Sequence, residues 1–183
     1  MELENMVALV SRTGRHLQLY KEGCRQVVGC IPYRYRINSK TCLEDEEAGI
    51  EVLVISSQKK GKGMLFPKGG WERDESIKDA ALRETMEEAG VSGVINEPKL
   101  GQWKFKSRRH DVFYEGHMFP LLVKKQLEFW PEKDIRQRVW MSVSEAKEAC
   151  QHGWMKEALE KLEQRLRSPR QHEEREVGPC SIS

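Results

Sequence analysis

Residues 69–91 read GGWERDESIKDAALRETMEEAGV, and seven of these 23 positions are carboxylates. Three of them stand at Glu84, Glu87 and Glu88. At 100° per residue these three fall within an arc of about 100° on a helix. Leu82, Thr85, Met86 and Ala89 take the other side and are available to the core. Like charges at i and i+4 cost a few tenths of a kcal/mol. A helix built only for stability would alternate the signs, so the acidic face calls for a cation. A hard divalent ion such as Mg²⁺ takes oxygen ligands and commonly uses one or two carboxylates together with substrate phosphates. Asp74 and Glu75 suit the positive N-terminal end of a helix over 74–89, and Gly90 suits its C-terminal stop.

The spacing fits G-x5-E-x7-R-E-U-x-E-E-x-G-U, where U is bulky and apolar. Here that is Gly69, Glu75, Arg83, Glu84, Thr85, Glu87, Glu88, Gly90 and Val91. Seven fixed residue types recur by chance about once in 10⁸ starting points. On this match the chain resembles the Nudix hydrolase family. Thr85 departs from the pattern, which usually carries a larger aliphatic residue there. The resemblance implies an α/β/α sandwich and hydrolysis of a phosphoanhydride with Mg²⁺ or Mn²⁺. It further implies that Glu84 and Glu88, with the backbone carbonyl of Lys68, hold the metal. Glu87 would be the general base with a share in metal binding, and Glu75 with Arg83 would tie loop to helix.

Outward from the helix, CRQVVGCIPYRYRI (24–37) and EVLVISS (51–57) have the β-branched, apolar character of strands. MLFPKGG (64–70) suggests a brief strand closed by Pro and Gly, and strands are expected near 99–107, 114–123 and 136–143. Ser142 and Glu145 form a capping-box pattern for a helix near 144–151. Met155, Ala158, Leu159, Leu162 and Leu166 recur at helical spacing and suit core packing. This order implies a mixed α/β sheet with helices on both faces, in one domain over 1–167. Residues 168–183 are too poor in apolar side chains to fold alone.

VVGCIPYR (27–34), FPKGGWE (66–72), LEFWPE (127–132) and SRTGR (11–15) resemble the diphosphoinositol polyphosphate and diadenosine polyphosphate hydrolase branch, especially its plant members. Such substrates carry many phosphates, which Arg forks and Lys point charges suit. Candidate phosphate ligands are Lys59, Lys60, Lys62, Lys68, Arg108, Arg109, His110 and Arg34, with Arg25 a weaker one. The competing interpretation of these side chains is solubilising surface charge. Trp71 is expected either to stack on a base or to pack the loop. His16, His117 and His152 are isolated and suit structural or surface roles.

Charge and composition narrow the rest. Net charge is +2, from 31 basic and 29 acidic side chains, which argues against a general nucleic-acid binder. The partner expected is a small polyphosphate. Cysteines at 24, 30, 42, 150 and 180 are odd in number and form no C-x-x-C pair, so zinc and a disulfide framework are not expected. No apolar run reaches the roughly 18 residues of a membrane span. The final CSIS fits a prenylation pattern, making Cys180 a lipidation candidate whose single lipid gives only weak membrane contact. The default compartment is the cytosol, with nuclear entry open. Mitochondria are the alternative, because SRTGRHLQLYKEGCR is basic. Two other functions compete with the main expectation: a Nudix hydrolase of ADP-ribose, NADH or another nucleoside diphosphate derivative, and a non-catalytic inositol phosphate sensor.

Overall fold

The computed structural model describes residues 10–36, 49–58, 61, 63–106 and 111–167. Nine strands form one mixed sheet: β1 (Tyr20–Lys21), β2 (Cys24–Tyr35), β3 (Ile50–Ser56), β4 (Met64–Leu65), β5 (Lys68–Gly70), β6 (Val91–Ile95), β7 (Gly101–Lys106), β8 (Phe113–Gln126) and β9 (Arg138–Ser142). The helices are α1 (Ile77–Ala89), α2 (Val143–Ala149) and α3 (Gly153–Arg167). The spine runs β4-β3-β2-β8-β6, with β1 and β5 on β2, β7 on β8 and β9 on β3. At its centre β2 and β8 pair in parallel from Cys24 opposite Phe113 to Tyr33 opposite Leu122.

Alternation along the central strands builds two cores. On β2 and β3, Ile31, Tyr33, Val52 and Val54 face one way and meet Met155, Ala158, Leu159 and Leu162 of α3. Val28, Cys30, Leu53 and Ile55 face the other way and meet Ala80, Ala81 and Ala89 of α1. The sheet is therefore covered on both faces, as an α/β/α sandwich requires. The capping box at Ser142 and Glu145 has both of its hydrogen bonds.

Three expectations change. MLFPKGG divides into β4 and β5 around Phe66-Pro67, because β4 pairs with β3 while β5 turns to pair with β2. Helix α1 begins at Ile77 rather than 74, since the Ser76 hydroxyl accepts the Asp79 N–H as N-cap. Strands β1 and β6 were not anticipated, because two to five residues give too short a pattern to detect. At the other end of α1, Gly90 stops the helix at φ 64°, a left-handed conformation that glycine adopts without strain.

Thr85 is fully buried, and its hydroxyl donates to the Ala81 carbonyl at 2.7 Å, so the polar departure costs no unmade hydrogen bond. Cys24, Cys30 and Cys150 are unpaired and buried; burial pushes the Cys30 thiol up to about 12 and Cys150 up to about 11. Among the described residues, no helix is long and apolar enough to cross a membrane.

His117 on β8 belongs to a ring of five side chains. The Lys99 ammonium, which can only donate, meets His117 Nδ1 and Gln102 Oε1, both at 2.9 Å. The His117 Nε2–H therefore donates to Gln26 Oε1 at 2.9 Å. Gln26 and Gln102 each donate to Glu115 at 3.1 Å, closing the ring. Burial, and then the charge of Lys99, lowers the imidazole to about 4 from an ordinary 6.5. The unfolded chain takes up a proton near 6.5 while the fold resists it until about 4, so stability is full above 6.5 and falls as pH drops through that window. Urea midpoints measured between pH 7 and 4 should fall less steeply for His117→Gln than for the natural chain.

Candidate active site

The three helix carboxylates do not form a solvated acidic face. Glu84, Glu87 and Glu88 are only 9%, 8% and 9% exposed. Helix α1 turns Glu84 and Glu88 toward β5 and Glu87 toward Arg12, and Gly69 lets Glu84 close in. A Cβ built at Gly69 would stand 2.1 Å from Glu84 Oε2, so only glycine leaves room for that carboxylate.

Arg83 holds the arrangement together. Its Nε donates to Glu75 Oε2 at 2.9 Å and its Nη2 to Glu75 Oε1 at 2.7 Å, a two-point fork. Nη2 also donates to the Gly70 carbonyl at 2.9 Å. Nη1 donates to Glu84 Oε1 at 2.8 Å and reaches Glu87 Oε1 at 3.5 Å. Burial opposes the guanidinium charge, but Glu75 and Glu84 more than offset it and hold Arg83 protonated. Glu75 in turn accepts the Glu72 N–H at 3.1 Å. The indole N–H of Trp71 donates to the Glu75 carbonyl at 3.1 Å, and the ring packs on the α1-side core, edge-on to His117. Trp71 thus packs the loop.

Glu88 Oε2 accepts the Lys68 N–H at 2.9 Å, and Oε1 accepts Arg136 Nη2 at 2.6 Å. Glu87 Oε1 accepts the Arg12 N–H at 3.3 Å, and the Arg12 guanidinium pairs with Glu72 and Asp74. One residue earlier, Ser11 Oγ is buried without a hydrogen-bond partner. Burial raises Glu84 to about 7, against the pull of Arg83, and raises Glu87 and Glu88 above the usual carboxylate range. Burial likewise lowers the Lys68 ammonium.

These residues fit a hard divalent ion by their chemistry: anionic oxygen donors, partly stripped of water, whose charge the protein itself only partly neutralises. Among the described residues, no three acidic, imidazole or thiol side chains already stand at metal-ligating spacing. Arginines hold the carboxylates instead.

Beside Lys68 and Gly69 opens a cleft of about 720 Å³, lined by the cations Arg25, Lys106 and Arg136 and by Phe105, Tyr114 and Trp154. Phe105 lies parallel to Tyr114 at 5.4 Å and to Trp154 at 5.8 Å, giving one wall a stack of rings. Arg34 is a correction: it donates to Glu51 at 2.7 Å and lies over the Trp140 ring at 4.1 Å, and it is not among the cleft residues. The strand pattern could not show which end of β2 reaches the site. Lys59, Lys60, Lys62, Arg108, Arg109, His110 and Cys180 lie outside the described residues. His152 lines the cleft, His117 is structural and His16 is exposed.

Sequence analysis did not single out Arg12, Arg136, Trp130 or Arg138. The last two serve the helix end. Trp130 Nε1 donates to the Glu88 carbonyl at 3.2 Å, the Glu132 N–H to the Glu87 carbonyl at 3.1 Å, and Arg138 to the Ala89 carbonyl at 2.9 Å. LEFWPE therefore satisfies the open carbonyls of α1, the helix that carries the carboxylates. The quoted LEFWPE segment was the available signal, though not for this role.

The NUDIX domain model matches residues 35–162. The chain belongs to the Nudix family, and it is a hydrolase of phosphorus-containing acid anhydrides. It is 55% identical over 183 residues to Nudix hydrolase 17, mitochondrial, of Arabidopsis thaliana, covering 100% of this chain and 97% of that protein. It is 61% identical over 158 residues to Nudix hydrolase 21, chloroplastic, of the same plant, covering 86% and 76%. Among solved structures, a C. elegans Ap4A hydrolase binary complex superposes with a TM-score of 0.58 at 19% identity, over 77% of this chain and 96% of that one. At that identity the likeness is one of fold.

Removing the Arg83 fork leaves Glu75 and Glu84 buried without their cation. Arg83→Ala should cost about 3–5 kcal/mol in denaturant unfolding, and Arg83→Lys should recover only part of it. Mg²⁺ should raise the melting temperature of the natural chain but not that of Gly69→Ala, whose unfolding transition should stay cooperative.

Proposed function

We propose that the chain cleaves a phosphoanhydride bond of a highly phosphorylated small molecule, a diphosphoinositol polyphosphate, a diadenosine polyphosphate, or both. The observation that carries this reading is the cleft itself, in which Arg25, Lys68, Lys106 and Arg136 face the space beside the buried carboxylates. In sequence, Lys59, Lys60 and Lys62 adjoin the cleft residues Gln58 and Gly61, and Arg108, Arg109 and His110 follow Lys106 closely. On that sequence proximity they are proposed as further phosphate ligands.

Glu84, Glu88 and the Lys68 carbonyl would hold the metal, with Glu87 sharing in it. When bound there, Mg²⁺ or Mn²⁺ would supply charge neutralisation at the phosphates. Glu87 takes the proton of the attacking water as the water oxygen bonds to phosphorus and the anhydride P–O bond breaks. Its raised proton affinity suits a base, and the Arg12 N–H and Arg83 hold its carboxylate in place. Arg83 and Glu75 position the loop rather than touch the reacting atoms.

The ring stack of Phe105, Tyr114 and Trp154 favours a second reading, in which a nucleobase packs on that wall and the substrate is ADP-ribose, NADH or another nucleoside diphosphate derivative. The third, a sensor without turnover, has against it the complete set of acidic groups. For the compartment, the relative named mitochondrial supports the mitochondrial alternative over the cytosol. Prenylation at Cys180 remains part of the proposal for the tail.

A hydrolysis panel with Mg²⁺ tests the substrate. Diphosphoinositol and diadenosine polyphosphates should turn over faster than ADP-ribose and NADH, the reverse order moving the assignment to the second reading. Glu87→Gln should lower turnover by about two orders of magnitude or more while ligand binding persists. No turnover with any member, together with tight inositol phosphate binding, would establish the sensor.

A further inference from the structure

Arg136 stands between the carboxylates and the cleft. It precedes β9, and its side chain is 9% exposed. Nη2 donates to Glu88 Oε1 at 2.6 Å, Nη1 donates to the Ser56 carbonyl at 3.1 Å, and Nε pairs with Glu132. The same side chain lines the cleft beside Lys68 and Gly69. With the Lys68 N–H on its other oxygen, each oxygen of Glu88 has a protein partner.

Arg83 and Arg136 both neutralise proposed metal ligands, but they differ in what their other bonds hold. Arg83 is forked on Glu75 and bound to the Gly70 carbonyl, so moving it would release the loop. Arg136 touches the metal ligands only through Nη2. Because the guanidinium is planar and rigid, lifting Nη2 off Glu88 also turns Nη1 off the Ser56 carbonyl, which frees both N–H groups while β5 and the Glu75 loop stay held by Arg83. A divalent ion and a guanidinium cannot share one carboxylate oxygen without strong repulsion in a site poor in water. A substrate phosphate in the cleft offers the freed N–H groups a new anion.

We propose that Arg136 is an exchangeable counterion. It neutralises Glu88 in the metal-free protein, and it turns to the substrate phosphate when a divalent ion takes Glu88. Metal and phosphate binding are then coupled through this side chain, each favouring the other. The proposal rests on the assignment of Glu88 as a metal ligand.

Calorimetry on the full chain tests it, with Mg²⁺ and methylenediphosphonate, an analogue that cannot be hydrolysed, as probes. Without the analogue, Arg136→Gln should bind Mg²⁺ about tenfold more tightly than the natural chain, because a competing cation is gone. With Mg²⁺ present, the same variant should bind methylenediphosphonate about tenfold more weakly; without Mg²⁺ the loss should be under about twofold. Should Arg136→Gln lack a cooperative unfolding transition, Arg136→Lys carries the comparison. It keeps the charge, so Mg²⁺ affinity should stay within about twofold of natural, and the metal-dependent loss in analogue binding should remain. Unchanged or weaker Mg²⁺ binding by Arg136→Gln would overturn the exchange, as would an equal loss of analogue affinity with and without metal. Glu88→Gln separates the underlying assignment: if Mg²⁺ affinity does not fall in that variant, Glu88 is not a ligand and the exchange fails with it.

Discussion

The Arg83 fork is the contact on which the site depends. One guanidinium joins Glu75 in the loop, the Gly70 carbonyl at the end of β5, and Glu84 in its own helix. Three chain segments around the buried carboxylates are thereby fixed relative to one another. The charge is buried, so its partners are costly to remove, and the geometry is set more tightly than an exposed ion pair could set it.

Around that contact the sheet supplies rigidity. The parallel pairing of β2 and β8 puts Val27–Gly29 against β5, and β5 brings Lys68–Gly70 under α1. Trp130, Glu132 and Arg138 close the far end of α1 by taking its free carbonyls. The C-terminal end of α1 is therefore held by segments distant in sequence, while Ser76 caps its N-terminal end locally. The like-charge repulsion that looked gratuitous along the helix is met here by Arg83, Arg136 and the Lys68 and Arg12 N–H groups.

The cleft shows two kinds of chemistry side by side. Its cations suit polyphosphates and its ring stack suits a planar base. Membership of the Nudix family establishes the reaction type, and the two walls match the two substrate classes proposed.

Much of the fold was legible because it rests on local patterns. The 3.6-residue stripe of α3, the capping box of α2 and the apolar runs of β2 and β3 each need only neighbours in sequence. The fixed spacing from Gly69 to Val91 declared the site for the same reason, since a loop and one helix carry it. Arg34 lies outside the cleft and Arg136 lines it, a difference hidden in the sequence because arginines at or near strand ends look alike until the sheet decides which end meets the carboxylates. LEFWPE was visible as a segment, but its role as a helix cap required α1 to be docked beside it. The sequence by itself determined the acidic helix and the glycine loop before it. Only the tertiary structure decided which cations neutralise the carboxylates and which line the cleft, because those contacts join residues far apart in the chain.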